Sequence, residues 1–255
     1  MTYFEFLLLF IIIPLIFFLI LNILQKSRDE FSVLQYSGII GLSVIALIYT
    51  TPWDNYLVAE AIWFYDEALV TGLTIGWVPI EEYTFFIVQT ILTGVIFVWV
   101  IKNTDFSKHS DQIGKKSNLI RLVSLLFIVI LWIPMFFILV FKLDESLTYL
   151  SLILAWGLIP IGLQLIYGGD IIWKHKKVVF GLITVIGSYL SLIDAFAIDS
   201  GIWTITQSTS LGILIGGILP IEEAIFFFLT TSLVIFSMIL FFDRESVLRA
   251  KKMMV

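Results

Sequence analysis

Seven apolar runs, most of them near the twenty residues that a helix needs to cross a bilayer, leave this chain few ways to fold. They are Tyr3–Leu24, Leu34–Tyr49, Pro79–Ile101, Leu119–Phe141, Thr148–Tyr167, Val178–Ile198 and Ile221–Phe242. The second is the shortest. The stretches Leu57–Ile75 and Ile202–Leu219 are also apolar enough to be partly embedded. Hydrophobic residues make up 60% of the 255 positions and charged ones 14%. A soluble domain carries roughly a quarter charged residues, so this chain would expose large apolar patches in water. The expected fold class is an all-α integral membrane protein with about seven transmembrane helices. The run from Tyr3 follows no basic segment and is as long as a span, so it reads as a retained helix rather than a cleaved signal.

The charges sort by side. Lys26, Arg28, Lys102, Lys108, Lys115, Lys116, Arg121, Lys174, Lys176, Lys177, Arg244, Arg249, Lys251 and Lys252 fall at one set of span ends, and Lys142 at the other. The positive-inside rule then puts the N-terminus outside and the C-terminus in the cytoplasm of a multi-pass cell-membrane protein. No basic patch with interleaved aromatics indicates nucleic acid. The absence of cysteine removes disulfides and thiolate chemistry. His109 and His175 sit among lysines and read as solvated, so no metal set is expected.

The chain also repeats itself. Gly76-Trp77-Val78-Pro79-Ile80-Glu81-Glu82-Tyr83-Thr84-Phe85-Phe86 matches Gly217-Ile218-Leu219-Pro220-Ile221-Glu222-Glu223-Ala224-Ile225-Phe226-Phe227. Upstream, Asp54 and Trp63 match Asp194 and Trp203, with one extra residue between Trp203 and Pro220. Spans one to three pair with five to seven, and span four is unpaired. A single span between two three-helix units gives both the same orientation, a parallel 3+1+3 repeat. The expected division is a first repeat over 1–110, a linker helix over 111–145, a second repeat over 146–243 and a basic tail over 244–255.

Two acidic pairs then open equivalent helices on the outer side. The plain reading is a helix start: proline suits the first turn, and acids there favour the helix dipole. The sharper reading is chemical, because acids at membrane depth are costly and usually functional. Adjacent helical residues point about 100° apart, so at most one glutamate of each pair aims at the bundle axis. Two inward carboxyls in an apolar site resist ionising together, and an acid beside a carboxylate is a general acid–base pair. The candidate catalytic residues are Glu81, Glu82, Glu222 and Glu223, with Asp54 and Asp194 as weaker ones or as partners of the glutamates. Aromatics crowd the same side. Many belong to an interfacial belt, but ring faces can also stabilise a cation. The candidates for substrate contact are Trp53, Trp63, Phe85, Phe86, Trp203, Phe226 and Phe227.

These residues resemble a known family. Thr50-Thr51-Pro52-Trp53-Asp54-Asn55-Tyr56 with Val78-Pro79-Ile80-Glu81-Glu82-Tyr83 looks like the first half of the heterodimeric-type bacterial lycopene cyclases. Leu219-Pro220-Ile221-Glu222-Glu223-Ala224 with Phe226-Phe227 is similar to the second half. The likeness is to the archaeal and fungal form that fuses the halves through an extra helix, without the phytoene synthase domain of the fungal proteins. It implies redox-neutral cyclisation of the ends of lycopene: protonation of the terminal alkene, ring closure onto the cation, and loss of a proton. A β ring, giving γ- or β-carotene, is the expected product. No Gly-x-Gly-x-x-Gly follows a strand, so no dinucleotide-binding fold is expected and no cofactor is predicted. A loosely held cofactor, a homo-oligomer and association with other carotenoid enzymes stay open. The expected partners are lycopene or a related apolar carotenoid and membrane lipid. A small transporter built on triple-helix repeats is the rival reading.

Overall fold

A computed structural model describes residues 1–25, 33–104 and 117–253. In chain order the helices are α1 (Tyr3–Leu24), α2 (Val33–Ala59), α3 (Ile80–Lys102), α4 (Ser117–Phe141), α5 (Thr148–Lys174), α6 (Lys176–Asp199), α7 (Ile221–Phe242) and α8 (Arg244–Met253). The first seven include every helix long and apolar enough to cross a membrane among the described residues. The expected all-α membrane class and the seven spans therefore stand. Lys26, Arg28, Lys108, His109, Lys115, Lys116 and the 110/111 division lie outside the described residues.

Two spans run well beyond their sequence limits. Helix α2 continues past Tyr49 to Ala59, straight through Pro52. A proline removes one helical N–H, but side chains occupy the carbonyls around it: Thr51 Oγ1 donates to Leu47 O at 2.6 Å and Asn55 Nδ2 to Thr51 O at 2.9 Å. Asp54 is consequently a helix residue, as its repeat equivalent Asp194 is in α6. Helix α5 passes Tyr167 and bends at Gly168 (φ −149°, ψ 29°), reaching Lys174. His175 alone then links it to α6.

His175 corrects another expectation. It is buried, and its Nε2 lies 2.8 Å from Asp243, which also meets Lys174 Nζ at 3.2 Å. The expected basic tail is likewise a docked helix. In α8, Arg249 grips Asp170 of α5 with two bonds of 2.9 and 2.7 Å, and donates to Tyr167 O at 2.6 Å. Burial alone would raise the Asp243 carboxyl, but the bonds and charges of His175 and Lys174 hold it at about 2.

Helices touch closely where small residues allow it. A Cβ on Gly157 of α5 would come within 1.9 Å of Leu229 Cδ2 of α7, the kind of approach that packs helices in lipid. Helix α4 lies outermost, largely exposed, and packs through Ile128 against Leu158, Ile161 and Leu229. Two proline carbonyl gaps are filled across helices. Pro14 cannot donate to Phe10 O, which accepts from Tyr189 Oη at 2.6 Å, and Pro160 cannot donate to Trp156 O, which accepts from Tyr49 Oη at 2.9 Å.

The connections from α2 to α3 and from α6 to α7, which take in most of Leu57–Ile75 and all of Ile202–Leu219, hold short strands. They are β1 (Trp63–Tyr65), β2 (Thr74–Ile75), β3 (Val78–Pro79), β4 (Trp203–Ile205), β5 (Leu214–Ile215) and β6 (Leu219–Pro220). Hairpin β2–β3 precedes α3, and hairpin β5–β6 precedes α7. The first turns on Gly76-Trp77, with Gly76 at φ 68°; the second turns on Gly216-Gly217-Ile218. The extra residue of the second copy falls in that turn. Strands β1 and β4 pair antiparallel with Phe64 opposite Thr204, so each residue faces a member of the matching segment.

Candidate active site

The two hairpins aim the acids. Pro79 and Pro220 stand extended just before α3 and α7, and Ile80 N and Ile221 N each bond to a hairpin carbonyl, Leu73 O and Ile213 O, at 2.9 Å. The first glutamate of each pair turns back to the loop. Glu81 Oε1 accepts from Thr71 N at 2.6 Å, and Glu222 Oε1 accepts from Leu211 N at 2.7 Å and Ser210 Oγ at 3.0 Å. The second glutamate turns inward and meets a phenol. Tyr3 Oη donates to Glu82 Oε2 at 2.5 Å, and Tyr149 Oη donates to Glu223 Oε1 at 2.5 Å. Both tyrosines are fully buried.

Asn55 steadies the first hairpin. Its Oδ1 accepts from Trp77 N at 2.8 Å and its Nδ2 donates to Tyr83 Oη at 2.7 Å, which donates in turn to Ile75 O at 2.7 Å. Gly76 lies so close that a Cβ there would reach within 2.1 Å of Asn55 Oδ1. The second copy has Ala195 and Ala224 at the matching positions.

Glu82 and Glu223 share one cavity, lined also by Tyr3, Trp63, Tyr65, Phe85, Asp194, Trp203, Phe226 and Phe227. It measures about 30 Å³, the space of a single water. Asp194 Oδ1 accepts from Trp203 Nε1 at 3.0 Å, while its Oδ2 has no partner among the described residues. The matching pair behaves differently. Among the described residues, Asp54 is fully buried with neither oxygen bonded, and Trp63 Nε1 also has no partner. Tyr65 adds a second phenol to Glu82, whereas Ile205 stands at the matching place. Burial, and then the carboxyls of Glu82 and Asp54, push the Tyr65 phenol well above its usual range, so it remains a donor.

Of the sequence candidates, Glu82, Glu223, Asp194, Trp63, Phe85, Trp203, Phe226 and Phe227 come together at the cavity. Glu81 and Glu222 hold loops instead. Asp54 lies buried within electrostatic reach of Glu82 but is not part of the lining. Trp53 stacks behind Phe226 at 5.7 Å and 9°, and Phe86 packs edge-on against Phe85 and Tyr83. Trp77 and Tyr56 are exposed, as belt residues are. Asp66 Oδ1 accepts from Ala68 N at 2.9 Å, a loop role. Tyr3, Tyr65 and Tyr149 were not among the candidates. A signal existed for two of them: Thr2-Tyr3 and Thr148-Tyr149 are the same dipeptide at the heads of matching spans.

A buried cavity with carboxyls, phenols and many rings can donate a proton, shelter a carbocation from water and take a proton back.

No protein-family model and no solved structure matches the chain. Curated proteins do. The lycopene beta-cyclase of Halobacterium salinarum is 33% identical over 228 residues, covering 87% of this chain and 89% of the relative. The bifunctional lycopene cyclase/phytoene synthase of Gibberella fujikuroi is 32% identical over 229 residues, 83% of this chain and 36% of that longer protein. Its counterpart in Aspergillus oryzae is 30% identical over 208 residues, 81% of this chain and 34% of the relative. The chain covers most of the archaeal relative above 30% identity, and so it belongs to the lycopene cyclase family.

Proposed function

We propose that this protein is a lycopene β-cyclase acting as an isomerase by acid–base chemistry alone. The carrying observation is that Glu82, Glu223 and Asp194 line one aromatic cavity. A carboxylic acid there gives its proton to the terminal alkene of lycopene. The tertiary cation is attacked by the neighbouring alkene, one carbon–carbon bond forms, and the cation moves into the new ring. A carboxylate then removes a ring proton, so atoms and charge balance with no redox partner. Glu82, Glu223 and Asp194 are the catalytic residues in this reading, and Phe85, Phe226, Phe227, Trp63 and Trp203 hold the cation. The β ring rests on the name of the archaeal relative.

The same reading makes the protein two fused three-helix repeats with α4 between them. The equal hairpins, the two Tyr–Glu bonds and the matched β1–β4 register support that division. The acid end faces outward and the basic end the cytoplasm: Lys102 and Lys174 close α3 and α5 at the end away from the glutamates, and Arg249 of α8 docks on Asp170 there.

The test is expression in a lycopene-accumulating bacterium, with pigments separated by chromatography. The wild type should convert lycopene to a cyclised isomer whose spectrum gives the ring. Glu82→Gln and Glu223→Gln, made separately, should each nearly abolish conversion, because the cavity is composite. If each retained about half the activity, two independent sites would replace the single one; unchanged lycopene with wild-type protein in the membrane would reject the cyclase.

A further inference from the structure

A cavity of about 30 Å³ cannot admit a hydrocarbon ring and its tail unless a wall moves. The wall that moves must adjoin space for the rest of the molecule. Such space lies between α2 and α5. A groove of about 530 Å³, lined by Ile45, Ile48, Tyr49, Pro52, Trp53 and Trp156, opens on the bundle surface at the level of the spans. Ile45 and Ile48 are 63% and 67% exposed, so the groove faces lipid.

Its floor is a stack of rings. Trp156 lies on Tyr49 at 5.4 Å and 25°, and on Trp53 at 4.5 Å and 19°. Trp53 lies on Phe226 at 5.7 Å and 9°, and Phe226 is cavity wall. Two stacked rings, Trp53 on the groove side and Phe226 on the cavity side, therefore separate groove from cavity. The stack is pinned by side-chain bonds to backbone: Tyr49 Oη to Trp156 O at 2.9 Å, and Trp53 Nε1 to Leu152 O at 3.2 Å. Trp156 O is available because Pro160 cannot donate to it. These bonds can break without opening either helix.

We propose that this groove binds the polyene tail of the substrate, and that Tyr49, Trp53 and Trp156 form the lateral gate to the acids. The inference rests on the cyclase reading. The occupant is a linear conjugated hydrocarbon. The groove is parted from the catalytic cavity only by stacked rings, and it is lined by aliphatic and aromatic side chains with none charged, which suits an apolar π chain.

The test fills the groove. Ile48→Trp and, independently, Ile45→Trp are compared with Ile130→Trp, a lipid-exposed position on α4. Each is made in the active protein and in the Glu223→Gln background. The readouts are cyclised product per protein, and lycopene retained per protein after purification in detergent as a single folded species. Each groove variant should lose at least tenfold in both, and Ile130→Trp should lose neither. The groove is rejected if both groove variants keep lycopene as their parent does. It is rejected if Ile130→Trp loses as much as they do, or if they release phospholipid but not lycopene. A parent that retains lycopene in the groove without ever cyclising it would refute the cyclase reading and leave the groove standing.

Discussion

Tyr149→Phe removes one oxygen and little else. The Tyr149 ring packs edge-on to Trp63 at 5.7 Å, and phenylalanine keeps that contact. What is lost is the 2.5 Å donor to Glu223 Oε1 at a fully buried site. Leaving such an oxygen without its donor costs about 1–3 kcal/mol. If Glu223 takes part in proton transfer, turnover falls by about ten- to a hundredfold, since 1.4 kcal/mol is a factor of ten. Tyr3→Phe should cost less, because Glu82 keeps the Tyr65 phenol. The assay is the initial rate of cyclised product in membranes, normalised to folded protein. Turnover within twofold of wild type for Tyr149→Phe, or a larger loss for Tyr3→Phe, would refute the reasoning.

The two glutamates of one pair should separate. Glu81→Gln keeps an acceptor for Thr71 N and should leave turnover within a few-fold, while Glu82→Gln abolishes it; equal losses would argue against the division of roles. Gly76→Ala should lower hairpin stability by a few kcal/mol and with it the yield of folded protein, because its φ of 68° and the 2.1 Å approach to Asn55 both oppose a Cβ; a melting temperature equal to wild type contradicts this. The Asp243 carboxyl sits at about 2 against an ordinary 3.8, so it contributes about 2 kcal/mol above pH 4, and that contribution is lost as pH falls through 2. Asp243 Oδ1 also accepts from Glu245 N at 2.8 Å in the first turn of α8, so proteolysis within 244–253 should accelerate on acidification, and at neutral pH in Asp243→Asn; equal cleavage rates would show that this carboxyl does not hold α8.

Hydropathy made the spans legible because a bilayer reads length and polarity directly. Limits failed where polar side chains masked helix. Thr50, Thr51, Asp54 and Asn55 make α2 look finished at Tyr49, yet Thr51 and Asn55 spend their hydrogen bonds on the helix's own carbonyls. The duplicated Pro-Ile-Glu-Glu signal pointed to the acids, and the 100° step foretold that one of each pair would turn away. Which one turned depended on loop amides at Thr71 and Leu211 that carry no side-chain signature. His175 was misread because its partner, Asp243, is 68 residues away in sequence.

The unequal tyrosine at position 65 gives the site a direction. A pocket with two identical halves would hold its two inward glutamates in the same setting, and either could start the reaction. The repeat equivalent of Tyr65 is Ile205, and the Trp203–Asp194 bond has no counterpart between Trp63 and Asp54. Glu82 and Glu223 are therefore not interchangeable. In the proposed reaction one of them begins as the acid and the other as the base, so each chain end must enter in the same orientation.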